Sequence, residues 1–163
     1  MRRLMWALLA VALVAGLIVY AVFRREMDAE AARLQGHAQT VETSFGTVEV
    51  AEVGAGAPVI GIHGTGGGFD QGLEMGAPLG ESYRLIAPSR FGYLGSDMPD
   101  GATVAMQADA LDEMMGKLGI DRAYIFGGSA GALSAMQLAI RHPERCRALV
   151  VLVPAVYVPN TST

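Results

Sequence analysis

Disulfide chemistry has almost nothing to work with in this chain, because one cysteine in 163 residues excludes a cross-linked scaffold. Positive charge is scarce as well. Twelve Lys and Arg against sixteen Asp and Glu leave a formal net charge of −4, which excludes binding driven by phosphate neutralisation, so no nucleic-acid partner is expected. Neither glycine cluster has G-x-G-x-x-G spacing or a Walker lysine, which argues against a dinucleotide or nucleotide phosphate site. No cofactor and no metal are expected. Only three histidines occur, His37, His63 and His142, which leaves few candidates for a general base. No solenoid repeat or low-complexity tract is visible.

What the chain has in quantity is apolar surface, at 52% of residues, and part of it is concentrated at the N-terminus. From Leu4 to Phe23, "LMWALLAVALVAGLIVYAVF", 20 residues carry no charge, enough at about 1.5 Å each to cross roughly 30 Å of hydrocarbon. Arg2 and Arg3 precede the run, Arg24 and Arg25 follow it, and Trp6 and Tyr20 lie near its ends, where amphipathic rings favour the headgroup layer. A cleaved signal peptide is the rival. Its apolar region is usually about 7–15 residues, and the one polar-flanked small-x-small match, Ala29-Glu30-Ala31, lies beyond a charged cluster, so a retained single-pass anchor is expected. The arginines are balanced across the run and leave the side of the membrane open.

Three parts follow along the chain: a membrane anchor over 1–23, a spacer over 24–39, and an α/β domain over 40–163. The spacer "RREMDAEAARLQGHAQ" is charged and alanine-rich, lacks a wide apolar stripe, and reads as a helix ending near Gly36. "TVETSF" and "TVEVAEV", split by Gly46, predict a β-hairpin with one solvated face. "PVIGIH", "YRLIAP", "RAYIFG" and "RALVVLVP" are compact strand candidates. Between them lie the helical candidates "DQGLEMGAPLG", "TVAMQADALDEMMGKLG" with Thr103 as cap and Gly119 as stop, and "SAGALSAMQLAIRHP". Strand, helix, strand at these lengths predicts an α/β fold, a mostly parallel sheet with helices on both faces.

The pentapeptide Gly127-Gly128-Ser129-Ala130-Gly131 reads G-x-S-x-G where one strand candidate gives way to one helix. A sharp turn there forces the serine backbone into a strained region and crowds the positions two residues to either side, which glycine at 127 and 131 relieves. The hydroxyl would then stand clear of the sheet beside a helix N-terminus. Alone, the pentapeptide reads as well as an N-cap serine with small residues for close helix packing. A second element favours the nucleophile: His63-Gly64-Thr65-Gly66-Gly67-Gly68 follows the strand "PVIGI" directly, and a glycine-rich loop leaves N–H groups free to point at an oxyanion.

With "IHGTGGG", "YRLIAPSRFGYLGSD" and "ADALDEMMGKLGIDRAYIFGGSAGALSAMQLAIRHPERCRALVVLVP" in this order, the chain resembles the N-terminal half of an α/β-hydrolase fold protein, from about Val41 to Pro154. The resemblance implies Ser129 as nucleophile, with the amides of Thr65 and Ala130 forming the oxyanion hole. Serine at 129 separates the chain from relatives resembling haloalkane dehalogenases and epoxide hydrolases, which carry aspartate there. The implied activity is hydrolysis of a small-molecule ester or related carbonyl compound through an acyl-serine. In this family the acid and the histidine follow the nucleophile.

Neither partner is evident. His142 lies at the far end of the helix that starts at Ser129, about 20 Å along its axis, and reads as a helix-end residue facing the dipole. His63 belongs to the glycine loop and is expected to orient it by hydrogen bonds, and His37 belongs to the spacer. Asp97, Asp109 and Asp112 read as loop and solvated-face residues without a histidine to orient, while Arg90 and Tyr93 are either pocket-entrance residues, as the resemblance implies, or part of a plain polar loop. Cys146 is expected to be an inert thiol. A sheet ending after about the sixth strand would leave "RALVVLVP" as an apolar edge, and self-association through it is expected. The alternative function is a non-catalytic α/β-hydrolase-like binding module.

Overall fold

The structure is a computed structural model and describes residues 2–155. The chain divides into two units, Met1–Gly36 and His37–Thr163. Helix α1 (Arg2–Leu34) fills the first, running unbroken through the apolar segment and the charged spacer, about 50 Å at 1.5 Å per residue. None of its described residues is buried, and it is long and apolar enough to cross a membrane. Its charged third carries the helical pairs Arg24–Asp28 and Arg33–Glu30, each worth a few tenths of a kcal/mol, about 0.2–0.5, to a helix.

The second unit is built from β1 (Gln39–Thr43), β2 (Gly46–Val53), β3 (Ala57–Ile62), α2 (Phe69–Gly76), β4 (Tyr83–Pro88), α3 (Val104–Lys117), β5 (Ala123–Gly128), α4 (Gly131–Arg141) and β6 (Cys146–Leu152). The hairpin forms where expected: β1 pairs antiparallel with β2 through a turn in which Gly46 takes φ +102°, and the Thr43 hydroxyl donates to the Gly46 carbonyl at 2.6 Å. The six strands lie in the order β1-β2-β4-β3-β5-β6. The hairpin enters antiparallel to β4, whereas β3–β4, β3–β5 and β5–β6 are parallel.

Alternation along the strands divides the core between the two faces of the sheet. Ile60, Ile62, Ile86 and Ile125 join Leu111, Met114 and Met115 of α3 and Leu138 of α4 in the main core, all fully buried, at roughly 1.5–3 kcal/mol per side chain relative to exposure. Their neighbours Val59, Leu85 and Phe126 point the other way and pack against Leu73 and Met75 of α2. Helices thus cover both faces, α3 and α4 on one and α2 on the other. Thr103 caps α3, its hydroxyl accepting from Met106 N–H at 3.1 Å, and Gly119 follows the helix end at φ +68°. Helix α2 stops at Gly76 and tightens into a 3₁₀ turn over Ala77–Leu79, since Pro78 has no N–H to continue the ladder.

Strand β6 pairs only with β5 among the described residues and forms one edge of the sheet. On the α2 face near that edge, Tyr124, Val150 and Leu152 remain exposed and border an apolar groove of ≈ 340 Å³ together with Val59, Met75 and Phe126. The topology also places the site. Strand β3 has β4 on one side and β5 on the other, so the chain leaves it in opposite directions, and a crevice opens beyond the carboxyl ends of β3 and β5.

Candidate active site

Two turns meet in that crevice. The first is the passage from β5 to α4, where Ser129 takes φ +50°, a left-handed conformation costing a non-glycine residue about 1–2 kcal/mol. Backbone hydrogen bonds hold it there: Ser129 N–H donates to Leu152 O at 2.9 Å, and Ser129 O accepts from Ala132 N at 3.2 Å and Ala155 N at 3.2 Å. The flanking glycines are required by contact. A methyl on Gly127 would lie 2.6 Å from Gly131 O, and one on Gly131 would lie 2.2 Å from His63 O and 2.4 Å from Ile62 O. Strand β5, helix α4 and the end of β3 therefore approach to backbone contact, and no side chain fits between them.

Ser129 is exposed, and its hydroxyl makes no hydrogen bond among the described residues. The N-cap alternative fails on geometry: the cap position of α4 is Ala130, at φ −63°, and no side chain caps the helix. The N–H of Ala130 has no acceptor among the described residues.

The second turn is the loop after β3. Residues Gly64, Thr65 and Gly66 line a cleft of ≈ 550 Å³ shared with Gln71, Glu74, Met75, Gly128, Ser129, Leu152 and Val153. A methyl on Gly64 would sit 3.4 Å from the Ser129 Cβ, so loop and elbow touch. The Gly64 N–H is taken by Gln71 Oε1 at 2.7 Å, while Thr65 N–H, like Ala130 N–H, has no acceptor among the described residues. The cleft thus brings the residue with the free Thr65 amide beside the exposed Ser129 hydroxyl.

His63 is fully buried behind this loop. Its Nε2 accepts from Arg90 N–H at 2.8 Å, which requires the proton on Nδ1, and Nδ1 lies 2.8 Å from Gly64 O. Burial, with help from the Arg90 charge, lowers its pKa to about 4, so the ring is neutral at pH 7. Both nitrogens are occupied and the side chain orients the loop, as expected from the sequence. Arg90 does not line the cleft: its Nη2 donates to Gly64 O at 2.8 Å, and its guanidinium lies 4.8 Å from the centre of the Tyr93 ring. Ser89 joins the same framework, its hydroxyl accepting from Phe69 N–H at 3.0 Å and donating to Glu49 Oε2 at 3.0 Å.

One expectation is corrected. Asp109 does meet a histidine: His142 Nε2 lies 2.8 Å from its Oδ1, and Arg141 binds the same carboxylate at 2.7 and 2.8 Å. The pairing arises because α3 and α4 pack side by side, so the C-terminal end of α4 reaches the middle of α3. The hydrogen bonds of Arg141, then those of His142, hold the Asp109 carboxyl below its ordinary value. Eleven residues of α4 separate this pair from the elbow by about 16 Å, so it cannot serve Ser129. The ligand atoms of Asp112, His142 and Glu144 lie within 4.8 Å of one another, yet Asp112 is already paired with Arg145 at 2.5 Å. Asp97 closes the hairpin loop by accepting from Thr47 N–H at 2.8 Å. Burial pushes the half-buried Cys146 thiol up, away from reactivity.

Residues 57–162 match the family described as alpha/beta hydrolase fold. The 2-hydroxy-6-oxo-6-phenylhexa-2,4-dienoate hydrolase of Burkholderia cepacia is 31% identical over 113 residues, 66% of this chain and 40% of that protein. The solved alpha/beta hydrolase fold protein from Nakamurella multipartita superposes with a TM-score of 0.69 at 41% identity, covering 72% of this chain and 41% of its own. The crystal structure of a membrane phospholipase A, a bacterial virulence factor, superposes with a TM-score of 0.71 at 26% identity and covers 98% of this chain and 54% of its own. The chain spans about two fifths of the length of the curated relatives it matches.

Proposed function

The chain belongs to the alpha/beta hydrolase fold family, and from that premise we propose that it carries the nucleophile half of a membrane-anchored serine hydrolase acting on an ester or related carbonyl compound. The observation that carries this reading is the strained, exposed Ser129 at φ +50°, beside a loop whose Thr65 amide is unspent. A left-handed backbone at a residue whose hydroxyl is free is a signature of a reacting group, whereas an N-cap would use its oxygen on the helix. Relatives named as hydrolases and the membrane phospholipase neighbour, whose match takes in nearly the whole chain, support the class and the anchoring by α1.

In the proposed reaction Ser129 Oγ forms a bond to the carbonyl carbon as its proton passes to a base. The carbonyl electron pair moves onto oxygen, where the N–H groups of Thr65 and Ala130 hold the negative charge. Collapse of this intermediate expels the leaving group, which takes the proton, and water then repeats the sequence to free the serine. No described histidine fits the base: His63 has both nitrogens occupied, His142 is remote, and His37 precedes β1 and does not line the cleft. The reading therefore assigns base and acid to sequence outside the described residues or to another chain.

A fluorophosphonate probe tests it. Labelling of the native full-length gene product that is lost in Ser129→Ala supports the assignment. Absence of labelling in both that product and the 163-residue chain would overturn it in favour of the non-catalytic binding module, for which the exposed apolar groove beside β6 is the favouring observation.

A further inference from the structure

Resting on the reading of Ser129 and Thr65 above, we propose that Arg90 is a positioning residue that aims and polarises the Thr65 amide through the Gly64 carbonyl.

The geometry begins with one peptide unit. No cis bond occurs among the described residues, so the C=O of Gly64 and the N–H of Thr65 point in opposite directions across a planar group. The carbonyl is gripped from behind by two donors, Arg90 Nη2 at 2.8 Å and His63 Nδ1 at 2.8 Å. The N–H of the same unit is thereby turned away from them, on the residue that lines the cleft with Ser129. Gly64 N–H is removed from competition by Gln71 Oε1 at 2.7 Å. Of the two amides that begin the loop, only that of Thr65 is left to meet a substrate oxygen.

Charge adds to orientation. A guanidinium on a carbonyl oxygen draws electron density along the amide and makes its N–H a stronger donor, the polarisation that links hydrogen bonds in chains. Arg90 lies against Tyr93, and its Nε is buried with no hydrogen-bond partner, so its charge is less screened than that of a surface arginine. His63 supplies the second grip without charge, and it locks Arg90 in register by accepting that residue's backbone N–H. Arg90 itself touches no substrate atom in this arrangement.

The test separates this role from substrate contact and from failure of the hydrolase reading. In the full 163-residue chain, ¹⁵N-labelled in detergent micelles, Arg90→Met is expected to shift the Thr65 amide nitrogen upfield by more than that of Gly66, with Arg90→Lys intermediate. In the native full-length product, Arg90→Met is expected to slow acylation of Ser129 by a fluorophosphonate and kcat for a neutral ester about tenfold, with KM unchanged. Outright loss of one oxyanion donor costs about 10²–10³, which sets the upper bound. A Thr65 signal unmoved in both variants overturns the proposal. So does a rise in KM confined to anionic esters, which would make Arg90 a substrate contact. Should Arg90→Met lose its fold by circular dichroism, Arg90→Lys carries both measurements. If wild type itself fails to label, the hydrolase reading falls, and the Thr65 shift still decides the clamp.

Discussion

On Gly131 an added methyl would lie 2.2 Å from the carbonyl oxygen of His63, while on Gly66, across the same cleft, it would meet nothing nearer than Gln71 Nε2 at 3.7 Å. The elbow around Ser129 is held by backbone in contact with backbone. The loop after β3 is held by side chains, with His63 and Arg90 on the Gly64 carbonyl and Gln71 on its N–H. Steric closure fixes the nucleophile to the fold itself, so it cannot be loosened without loosening the sheet. Hydrogen-bonded closure leaves the loop adjustable by single side chains and, through His63, by pH.

The largest effect expected from breaking this contrast is at the elbow. Gly131→Ala and Gly127→Ala each put a Cβ within 2.6 Å of main-chain atoms that cannot swing aside, because they belong to β3 and α4. A destabilisation of about 4 kcal/mol or more is expected, comparable to much of a domain's net stability. Urea unfolding in micelles would read it. Either variant unfolding near the wild-type midpoint would mean that the elbow is not closed by contact.

Next in size is the response of the loop to acid. Unfolded, His63 binds a proton near its ordinary pKa of about 6.5; folded, it does so only near about 4, because burial disfavours the cation. Between those values the unfolded chain holds more protons, so stability falls as pH drops through that window. The loss reaches about 3 kcal/mol below about pH 4. Asp109, held low by Arg141 and then His142, contributes only below its ordinary range, so its loss begins where that of His63 is ending. His63→Gln, measured from pH 7 to 4.5, is expected to flatten the slope even though it lowers the plateau. An unchanged slope would remove His63 from the account.

Much of this arrangement is legible in the sequence and some of it is not, for a physical reason. The compact apolar runs "PVIGI" and "YRLIAP", the cap at Thr103 and the paired glycines at 127 and 131 are local signals, and each predicts the element that forms. The side chains that fasten the loop give no such signal. Gln71 is one polar residue on an ordinary helix, and Arg90 sits 26 residues beyond the carbonyl it grips, in a segment whose sequence suggests a pocket entrance. The Asp109–His142 contact spans 33 residues and two helices. Hydrogen bonds between elements depend on packing angles, which hydrophobic pattern alone does not encode.

A third test sharpens the elbow's half of the contrast. Glycine is ordinarily less stable than alanine at an internal position by about 0.5–1 kcal/mol, through the entropy of the unfolded chain. At φ +50° the order should invert, since alanine keeps the left-handed strain that glycine lacks. Ser129→Gly is expected to be more stable than Ser129→Ala by about 1 kcal/mol in paired unfolding measurements. The ordinary order would show that the turn is relaxed.

The smallest effect belongs to the loop. Gly66 takes no left-handed φ, and its open side faces the cleft, so Gly66→Ala should leave the unfolding midpoint within about 1 kcal/mol of wild type. Gly67→Ala, whose Cβ would lie 2.5 Å from that of Gln71, is the destabilised control one residue away. If Gly66 is not needed for folding, the remaining reason for a glycine there is access, since a methyl would project toward the space a substrate oxygen must enter to reach the Thr65 amide. A stable Gly66→Ala that labels more slowly with fluorophosphonate in the native full-length product would separate the two uses of glycine. The elbow would need glycine to exist, and the loop would need it to be approached.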